Sequence, residues 1–186
     1  SDVYKRQLLY FITIYHLLGI SPVILFQITN QGRGVMIKHT GSCYCKNITH
    51  STEYDPMLVF SCHCLACKKL TGASMGTVAV FYESEVKFEG DMKLFQLKGG
   101  SGNSVYKYFC ENCGCRVMTK VDLIEGLIYV DFGTFDNWNS FKPKVELWNE
   151  YKSDWVGEFD CVSTVFEDNG TLERIQMCLE NLDQRE

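Results

Sequence analysis

Cysteine is the residue type whose spacing says most about chemistry in this sequence. The chain has ten cysteines in 186 residues, and eight of them fall into three tight groups. These groups are Cys43 and Cys45, then Cys62, Cys64 and Cys67, then Cys110, Cys113 and Cys115. Pairs spaced C-x-C or C-x-x-C are poorly placed to bridge distant strands, but they readily place two thiolates on one ion. We therefore interpret these groups as metal ligands rather than as disulfides.

The first and last groups together predict a closed structural zinc site. Zinc prefers four soft or borderline ligands in a tetrahedron, and two short turns that each supply two thiolates meet that need with little strain. The four predicted ligands are Cys43, Cys45, Cys110 and Cys113. A glycine beside each pair, Gly41 or Gly114, supplies the backbone freedom that such turns require. Buried free thiols in a core are the alternative, but they would not explain the pairing by loops.

The middle group predicts a second, open metal site. Cys62, Cys64 and Cys67 offer three thiolates, and a zinc with three protein ligands keeps a fourth position for water or substrate. Such a site would also attract an external thiol, because sulfur suits zinc and the metal lowers the pKa of a thiol. We expect His63 to lie behind these ligands or to face solvent rather than to bind the metal.

The elements that must position these cysteines are predicted to be short strands. β-Branched and aromatic residues bounded by turn formers predict strands, and a Gly-rich stretch at residues 99–103 predicts a hairpin loop. The predicted strands cover residues 58–60, 77–81, 85–88, 94–97, 105–109 and 127–132. Residues 41–50 look turn-like, residues 64–71 predict one helical turn, and an apolar face after Thr171 predicts a short C-terminal helix. The fold class is therefore all-β or β-dominated.

Charge and composition exclude some classes of function. Apolar content of 46% and charged content of 22% are ordinary for a globular protein. The net charge of −5 argues against a nucleic-acid binder, which would normally present a basic face. Thiolate ligands must stay reduced, so we expect the cytoplasm, with the nucleus as the alternative.

The first 35 residues differ from the rest, and we expect them to lie outside the fold. No charged side chain occurs over residues 7–32, and residues 8–26 are nearly all apolar. Three interpretations stay open: upstream sequence before a natural start at Met36, a signal or membrane anchor, and a packed extension. Only a genuine anchor over residues 8–26 would imply contact with a membrane. The expected domain then runs over residues 36–170, followed by a helix or tail over residues 171–186.

Several motifs resemble those of the CENP-V/GFA family, named after centromere protein V and the glutathione-dependent formaldehyde-activating enzyme. The motifs are GSCYC, SCHCLACKKLTGA, YFCENCGC, VDFGTFD and KPKVELWNEYKSDW. The resemblance covers about residues 36–162, and it implies a β-rich, Mss4-like fold. It also implies a structural zinc on the first and last cysteine pairs and a more labile zinc on the central CxCxxC group.

The resemblance implies carbon–sulfur lyase chemistry on S-hydroxymethylglutathione or on related thiol adducts. Cys62, Cys64 and Cys67 would then carry catalysis, with glutathione as co-substrate. Lys68 and Lys69 would meet its anionic groups, although solvated charges on a turn are an equal alternative. A different class of function, a non-catalytic zinc module for scaffolding or binding, stays open.

The remaining candidates have mainly structural interpretations. The family usually has Ser or Thr where Cys115 stands, and we interpret Cys115 as a plain replacement. Lys152 stands where family members often have Arg, which would weaken a bidentate anion contact. We interpret Cys161 and Cys178 as ordinary buried cysteines. The last four candidates are two aromatic residues that either pack in the core or line a pocket and two histidines expected at the surface: Phe135, Trp138, His39 and His50.

Overall fold

The computed structural model describes residues 36–168 of the chain, and the regular structure in this range is almost entirely β. It comprises eleven strands and one α-helix, with four short 3₁₀ turns between them. The strands are β1 (His39–Ser42), β2 (Thr49–Thr52), β3 (Leu58–Cys62), β4 (Gly76–Tyr82), β5 (Val86–Glu89), β6 (Lys93–Lys98), β7 (Ser104–Phe109), β8 (Arg116–Val121), β9 (Leu127–Asp131), β10 (Val145–Leu147) and β11 (Thr164–Val165). The helix α1 spans Leu65–Thr71.

The strands form two sheets of different size. The small sheet is antiparallel with the order β1-β2-β5, and the large sheet has the order β11-β10-β3-β4-β9-β8-β7-β6. Strand β10 runs parallel to β3 and β11, whereas the other neighbours in the large sheet are antiparallel. Hairpins between sequential strands need only short loops, which explains why Gly-rich turns recur along this sequence.

Alternation along the central strands gives the large sheet two distinct faces. In β3 and β4, Val59, Ala79 and Phe81 point to one face, where they are nearly inaccessible to solvent. Leu58 and Val80 point to the opposite face and belong to a separate apolar cluster. Successive residues of a strand face opposite sides of the sheet. Because both sides of these strands are covered by other residues, the side chains on both sides are apolar. The short, nearly continuous hydrophobic runs in the sequence follow from this double burial.

The small sheet covers the first of these faces. Val86 of β5 joins the same cluster as Phe81, together with Phe135 and Phe141 from the segment after β9. Strand β1 lies so close to the turn after β9 that a Cβ on Gly41 would lie 2.2 Å from the backbone oxygen of Thr134. Gly41 is therefore required by this close approach, since any side chain would force the backbones apart.

Most of the predicted elements are confirmed, and two regions were predicted wrongly. The structure confirms the β-dominated, Mss4-like class, the helical turn near residues 64–71 and the hairpin loop at residues 99–103. Residues 41–50 are not simply turn-like, because β1 and β2 flank the cysteine turn. Strand β8 was missed, since its pattern RVMTKV mixes charged and apolar residues without a clear period.

Two sequence predictions lie outside the described residues: the apolar N-terminal stretch and the C-terminal helix. Within residues 36–168, α1 is the one α-helix, and it is far too short to cross a lipid bilayer. The domain boundaries at residues 35 and 170 remain predictions.

Candidate metal centres

The four cysteines predicted to hold a structural zinc converge at one point. The Sγ atoms of Cys43, Cys45, Cys110 and Cys113 all lie within 4.8 Å of one another, and we call these residues the four-cysteine cluster. The Sγ of Cys45 is 3.6 Å from that of Cys43 and 3.6 Å from that of Cys110. Four thiolates around one zinc at Zn–S distances near 2.3 Å would be separated by about 3.8 Å. The donor type and the spacing therefore both fit a tetrahedral zinc ion.

Two tight turns bring these thiols together. In the first turn the backbone N–H of Lys46 donates to the carbonyl of Cys43, and Lys46 adopts a left-handed φ of 64°. The N–H of Ile48 donates to the Sγ of Cys43 at 3.3 Å. In the second turn the N–H of Gly114 donates to the carbonyl of Cys110, with φ of 69° at Gly114. Gly114 thus has the predicted role, whereas in the first turn Lys46, and not Gly41, carries the left-handed conformation.

The four-cysteine cluster lies at the edge of the core, with Cys45 and Cys113 partly exposed. Cys43 and Cys110 are 1% and 2% exposed, and they pack with Ile48 and Val117 in a core of their own. A hydrogen bond from the Asn112 side chain lowers the pKa of the Cys45 thiol to about 6. A thiol that ionises readily is a better metal ligand. Four protein thiolates fill the tetrahedron around one zinc ion and leave no position for an exchangeable ligand, which suits a structural ion.

The middle group forms a second cluster with a different setting. The Sγ atoms of Cys62, Cys64 and Cys67 also lie within 4.8 Å of one another, and we call these residues the three-cysteine cluster. Cys62 ends β3, Cys64 caps the N-terminus of α1, and Cys67 lies on its first turn. The Sγ of Cys64 accepts the N–H of Cys67 at 3.3 Å. Hydrogen bonds from the Cys62 and Cys67 thiols lower the pKa of Cys64 to about 2, so this group readily supplies a thiolate.

The three-cysteine cluster lies on the wall of a cavity, whereas the four-cysteine cluster does not. The cavity has a volume of about 400 Å³, within the range of small-molecule sites. Its wall includes all members of the three-cysteine cluster and none of the four-cysteine cluster. The rest of the wall is the second face of the large sheet, including Leu58 and Val80, with Trp148 at one side. Three ligands beside an open volume are the arrangement of a metal site that accepts an exchangeable ligand.

Two cationic side chains from β7 and β8 also line this cavity. The Nζ of Lys107 donates to the hydroxyl of Thr119 at 3.0 Å, and burial lowers the pKa of Lys107. Arg116 forms an ion pair with both carboxylate oxygens of Asp131, with its Nε 2.7 Å from one of them. The Nη1 of Arg116 is buried without a hydrogen-bond partner among the described residues. The part of the cavity near the three-cysteine cluster therefore carries two cationic groups, and the Nη1 of Arg116 remains free to donate a hydrogen bond to a ligand.

A buried polar network supports the three-cysteine cluster from behind. The Nε2 of His63 lies 2.8 Å from a carboxylate oxygen of Glu146, and both side chains are almost fully buried. The Nζ of Lys152 lies 3.0 Å from the same carboxylate. The backbone N–H of His63 donates to the carbonyl of Leu147. His63 thus anchors the segment between two ligands to β10, in agreement with its predicted place behind them.

The predicted anion-binding residues lie near the three-cysteine cluster but outside the cavity wall. The Nζ of Lys68 donates to the carbonyl of Tyr151 and to the hydroxyl of Ser153, which ties α1 to the segment after β10. Lys69 is exposed on the same helix. Lys152, which stands at the family's Arg position, contacts Glu146. These contacts give Lys68 and Lys152 structural partners within the chain.

Other sequence interpretations are settled by burial. His39 and His50 were expected at the surface, and this was wrong: they are 4% and 3% exposed. They pack against core aromatic rings, where His39 also contacts Asp55 and His50 contacts Thr134. Phe135 belongs to the core, as its structural interpretation held. Trp138 was expected in the core or on a pocket wall, and this was wrong, because it is 59% exposed and does not line the cavity. Cys115 and Cys161 are free, half-buried cysteines outside both clusters, and Cys178 lies outside the described residues.

The sequence analysis did not identify Lys107 and Arg116, which line the same cavity as the three-cysteine cluster but belong to strands further along the sheet. Lys107 lies on β7, and Arg116 opens β8, which was not recognised as a strand. The available signal was the position of both residues next to the last cysteine group. Trp148 was also missed as part of the cavity wall. Its left-handed φ of 59°, unusual for a bulky residue, is visible only in the structure.

Comparisons with known proteins identify a family for the chain. A solved structure of a Rhodobacter sphaeroides protein is similar over 53% of this chain and 88% of that chain, with 18% identity and a TM-score of 0.42. The comparison with curated proteins found no match. The family model described as glutathione-dependent formaldehyde-activating enzyme matches residues 38–151, which include both cysteine clusters and the cavity-lining strands. The chain therefore belongs to the glutathione-dependent formaldehyde-activating enzyme family.

Proposed function

We propose that this protein is a zinc-dependent carbon–sulfur lyase-like enzyme that acts on glutathione or on related thiol adducts of the S-hydroxymethylglutathione type. The family match supports glutathione-related chemistry. One observation carries the proposal: the three-cysteine cluster lies on the wall of a cavity of about 400 Å³. A metal held by three thiolates there has an accessible position for a substrate sulfur or hydroxyl.

In this proposal Cys62, Cys64 and Cys67 hold the zinc at the reacting centre. When bound, zinc supplies Lewis acidity and stabilises a thiolate at neutral pH. The reaction needs no oxidant, because the carbon–sulfur bond breaks with its electron pair going to sulfur. The hydroxyl oxygen of the adduct becomes the carbonyl oxygen of the released aldehyde, and its proton ends on the thiol. The reverse direction forms the adduct from the same parts.

Positively charged residues around the cavity would bind the anionic groups of the thiol. Lys68 and Lys69 remain our candidates for the carboxylates of glutathione, since both follow the three-cysteine cluster on α1. We expect Lys69→Ala to raise KM for the thiol about twofold to fivefold at low salt, with less effect at high salt because exposed charges are screened. The exposed Lys87 on β5 provides the matched control variant. An unchanged KM in both Lys68→Ala and Lys69→Ala would exclude this role.

The proposal also includes a second zinc ion, with a structural role, at the four-cysteine cluster. Cys43, Cys45, Cys110 and Cys113 would hold this ion, which brings together two turns remote in sequence. Thiolate ligands in both clusters require reducing conditions, so we place the protein in the cytoplasm, with the nucleus as the alternative. The expected partner is a small-molecule thiol or thiol adduct, not nucleic acid.

Metal analysis with and without glutathione tests the proposed function. We expect two zinc ions per chain, one of which is displaced by millimolar glutathione. Cys64→Ser should keep one zinc and its folded structure but lose turnover of the formaldehyde–glutathione adduct, followed by NMR. Cys161→Ser serves as the control, since Cys161 belongs to neither cluster. Two tightly held zinc ions indifferent to thiols, with no turnover, would favour a non-catalytic zinc module instead.

A further inference from the structure

The cavity extends well beyond the three-cysteine cluster along one face of the large sheet. Along β3, Cys62, Phe60 and Leu58 all point into it, because they are spaced two residues apart. Cys62 and Leu58 are four residues apart along the strand, which corresponds to about 13 Å at roughly 3.3 Å per residue. The reacting centre therefore lies at one end of an elongated space.

Away from the three-cysteine cluster the cavity wall has an apolar patch. This patch, which we call the apolar chamber, is formed by Leu58, Val80, Val105, Val121, Ile124 and Tyr129, and the polar residues Lys98, Ser101, Asn103 and Thr119 line the cavity beside it. Burial raises the pKa of the Tyr129 phenol to about 12. By contrast, Lys107 and Arg116 line the cavity close to the cysteines of the three-cysteine cluster. The cavity therefore has charged groups near the cysteines and an apolar patch further along the sheet.

The side of the cavity is held in place by a tightly packed tryptophan. Trp148 stacks on Tyr151 with ring centroids 5.8 Å apart. A Cβ on Gly100 would lie 2.6 Å from the Trp148 ring, so only glycine lets the β6–β7 loop pack here. Trp148 keeps a left-handed backbone conformation, which persists only where surrounding contacts enforce it. Trp148 and the β6–β7 loop therefore hold one side of the cavity in place.

A formaldehyde adduct would leave the apolar chamber unused. The hydroxymethyl group carries no apolar surface, and the thiol partner in glutathione is itself polar. An apolar group on the adduct carbon would instead remove from water both its own hydrophobic surface and that of the chamber wall. Each buried methylene is then expected to strengthen binding about fourfold.

We propose that the preferred adducts carry an apolar alkyl or aryl group on the carbon attached to sulfur, so that an apolar aldehyde is a better carbonyl partner than formaldehyde. This inference rests on the proposed function, because it assumes that the sulfur is held at the three-cysteine cluster. In the corresponding reaction the carbon–sulfur bond breaks, the hydroxyl becomes the aldehyde carbonyl, and the thiol takes the released proton. The balance of atoms is the same as for the formaldehyde adduct.

Binding of S-alkylglutathiones to the zinc-loaded, full-length protein tests the inference. The series S-methyl, S-butyl and S-hexyl, measured by calorimetry with glutathione as reference, changes only the apolar part. We expect affinity to rise about fourfold per methylene until the chamber is filled. Equal affinities across a series that does bind would overturn the inference and leave the proposed function standing. No binding of any member, together with no zinc displacement by glutathione, would overturn both.

The variant Val105→Phe tests whether the alkyl groups bind in the apolar chamber. Val105→Phe fills space at the end remote from the three-cysteine cluster, so the ratio of S-hexyl to S-methyl affinity should fall about tenfold or more, the equivalent of losing two buried methylenes. Val165→Phe makes the same change on β11 outside the cavity wall, and the ratio should not change. Thermal unfolding and zinc content confirm that each variant is folded. An undiminished ratio in a folded Val105→Phe protein would contradict the proposed location and overturn the inference.

Discussion

The two cysteine clusters contain the same kind of ligand but differ in sequence separation and surroundings. Cys45 and Cys110 of the four-cysteine cluster are 65 positions apart, whereas the three-cysteine cluster spans only Cys62 to Cys67. Cross-linking the longer loop removes about 2 kcal/mol more conformational entropy from the unfolded chain than cross-linking the shorter one. A metal at the four-cysteine cluster is therefore coupled strongly to folding, and a metal at the three-cysteine cluster much less.

Surroundings separate the clusters further. The four-cysteine cluster packs on Ile48 and Val117 with two of its cysteines partly exposed, while the three-cysteine cluster lies on a cavity wall near Lys107 and Arg116. Four protein ligands favour a permanent ion, and three ligands beside a cavity leave a position for an exchangeable ligand. The two clusters therefore differ in the number of ligands and in the neighbouring cavity, although the type of ligand is the same.

Replacing Cys110 by serine should have the largest effect. The free energy of binding a structural zinc, about 10 kcal/mol or more in small domains, is largely folding free energy. We expect Cys110→Ser to lose the cooperative thermal transition, while Cys64→Ser keeps it with a Tm within a few degrees of the parent protein. Calorimetry and metal analysis measure both outcomes, with Cys161→Ser as control. A Cys110→Ser protein with the parent Tm and two zinc ions would show that the clusters do not differ in this way.

Removing Glu146 should have a smaller effect that is confined to the region of the three-cysteine cluster. Glu146→Ala removes the partner of both His63 and Lys152, and loss of one member of the buried Lys152–Glu146 ion pair costs about 3 kcal/mol. Loss of such support behind metal ligands typically weakens metal affinity roughly 10- to 100-fold. Chemical denaturation and competitive zinc titration measure the two effects, with the exposed Glu158→Ala as control. Equal weakening of both zinc sites would contradict the assignment of this network to the three-cysteine cluster alone.

Acidification should produce the smallest effect on the free energy of unfolding, through His50 in the small sheet next to the four-cysteine cluster. Burial lowers the pKa of His50 on β2 from 6.5 to about 4. Between these values the unfolded state binds more protons than the folded state, so stability falls as the pH falls through this window. His50 alone should remove about 2 kcal/mol of stability over the upper part of this window, from roughly pH 6.5 to pH 5.

The pH effect is measured as a difference between proteins, because zinc binding also depends on pH. Urea unfolding at saturating zinc should show a shallower pH slope for His50→Gln than for the parent protein. Identical slopes between about pH 4.5 and pH 7.5 would mean that His50 is not held neutral by burial.

Local patterns allowed much of the site to be predicted. The spacing of Cys62, Cys64 and Cys67 placed three thiols on one short segment, and a strand-to-helix junction indeed presents them together. The pairing of Cys43 and Cys45 with Cys110 and Cys113 followed from the preference of zinc for four thiolates. The grouping of the thiols is confirmed, because it depends on ligand chemistry and on geometry within a few residues, while zinc binding at both clusters stays a prediction.

Contacts across the large sheet were not predictable in the same way. Lys107 and Arg116 reach the three-cysteine cluster only because β7 and β8 lie in a particular order and register beside β9. His39 and His50 were wrongly expected at the surface, since a polar residue next to a cysteine turn gives no local sign that other segments will cover it. Burial of this kind depends on packing between distant segments.

Three properties are readable from the amino-acid sequence: which atoms can bind metal, that the domain is built from short strands, and to which family it belongs. These properties follow from residue type and from spacing over short stretches of the chain. The folded protein was needed to see that the three-cysteine cluster alone lines the cavity, and that this cavity has an apolar patch beyond its charged groups. The physical reason is that enclosure, burial and the second face of a sheet depend on which strands become neighbours, and strand order joins residues far apart in the chain.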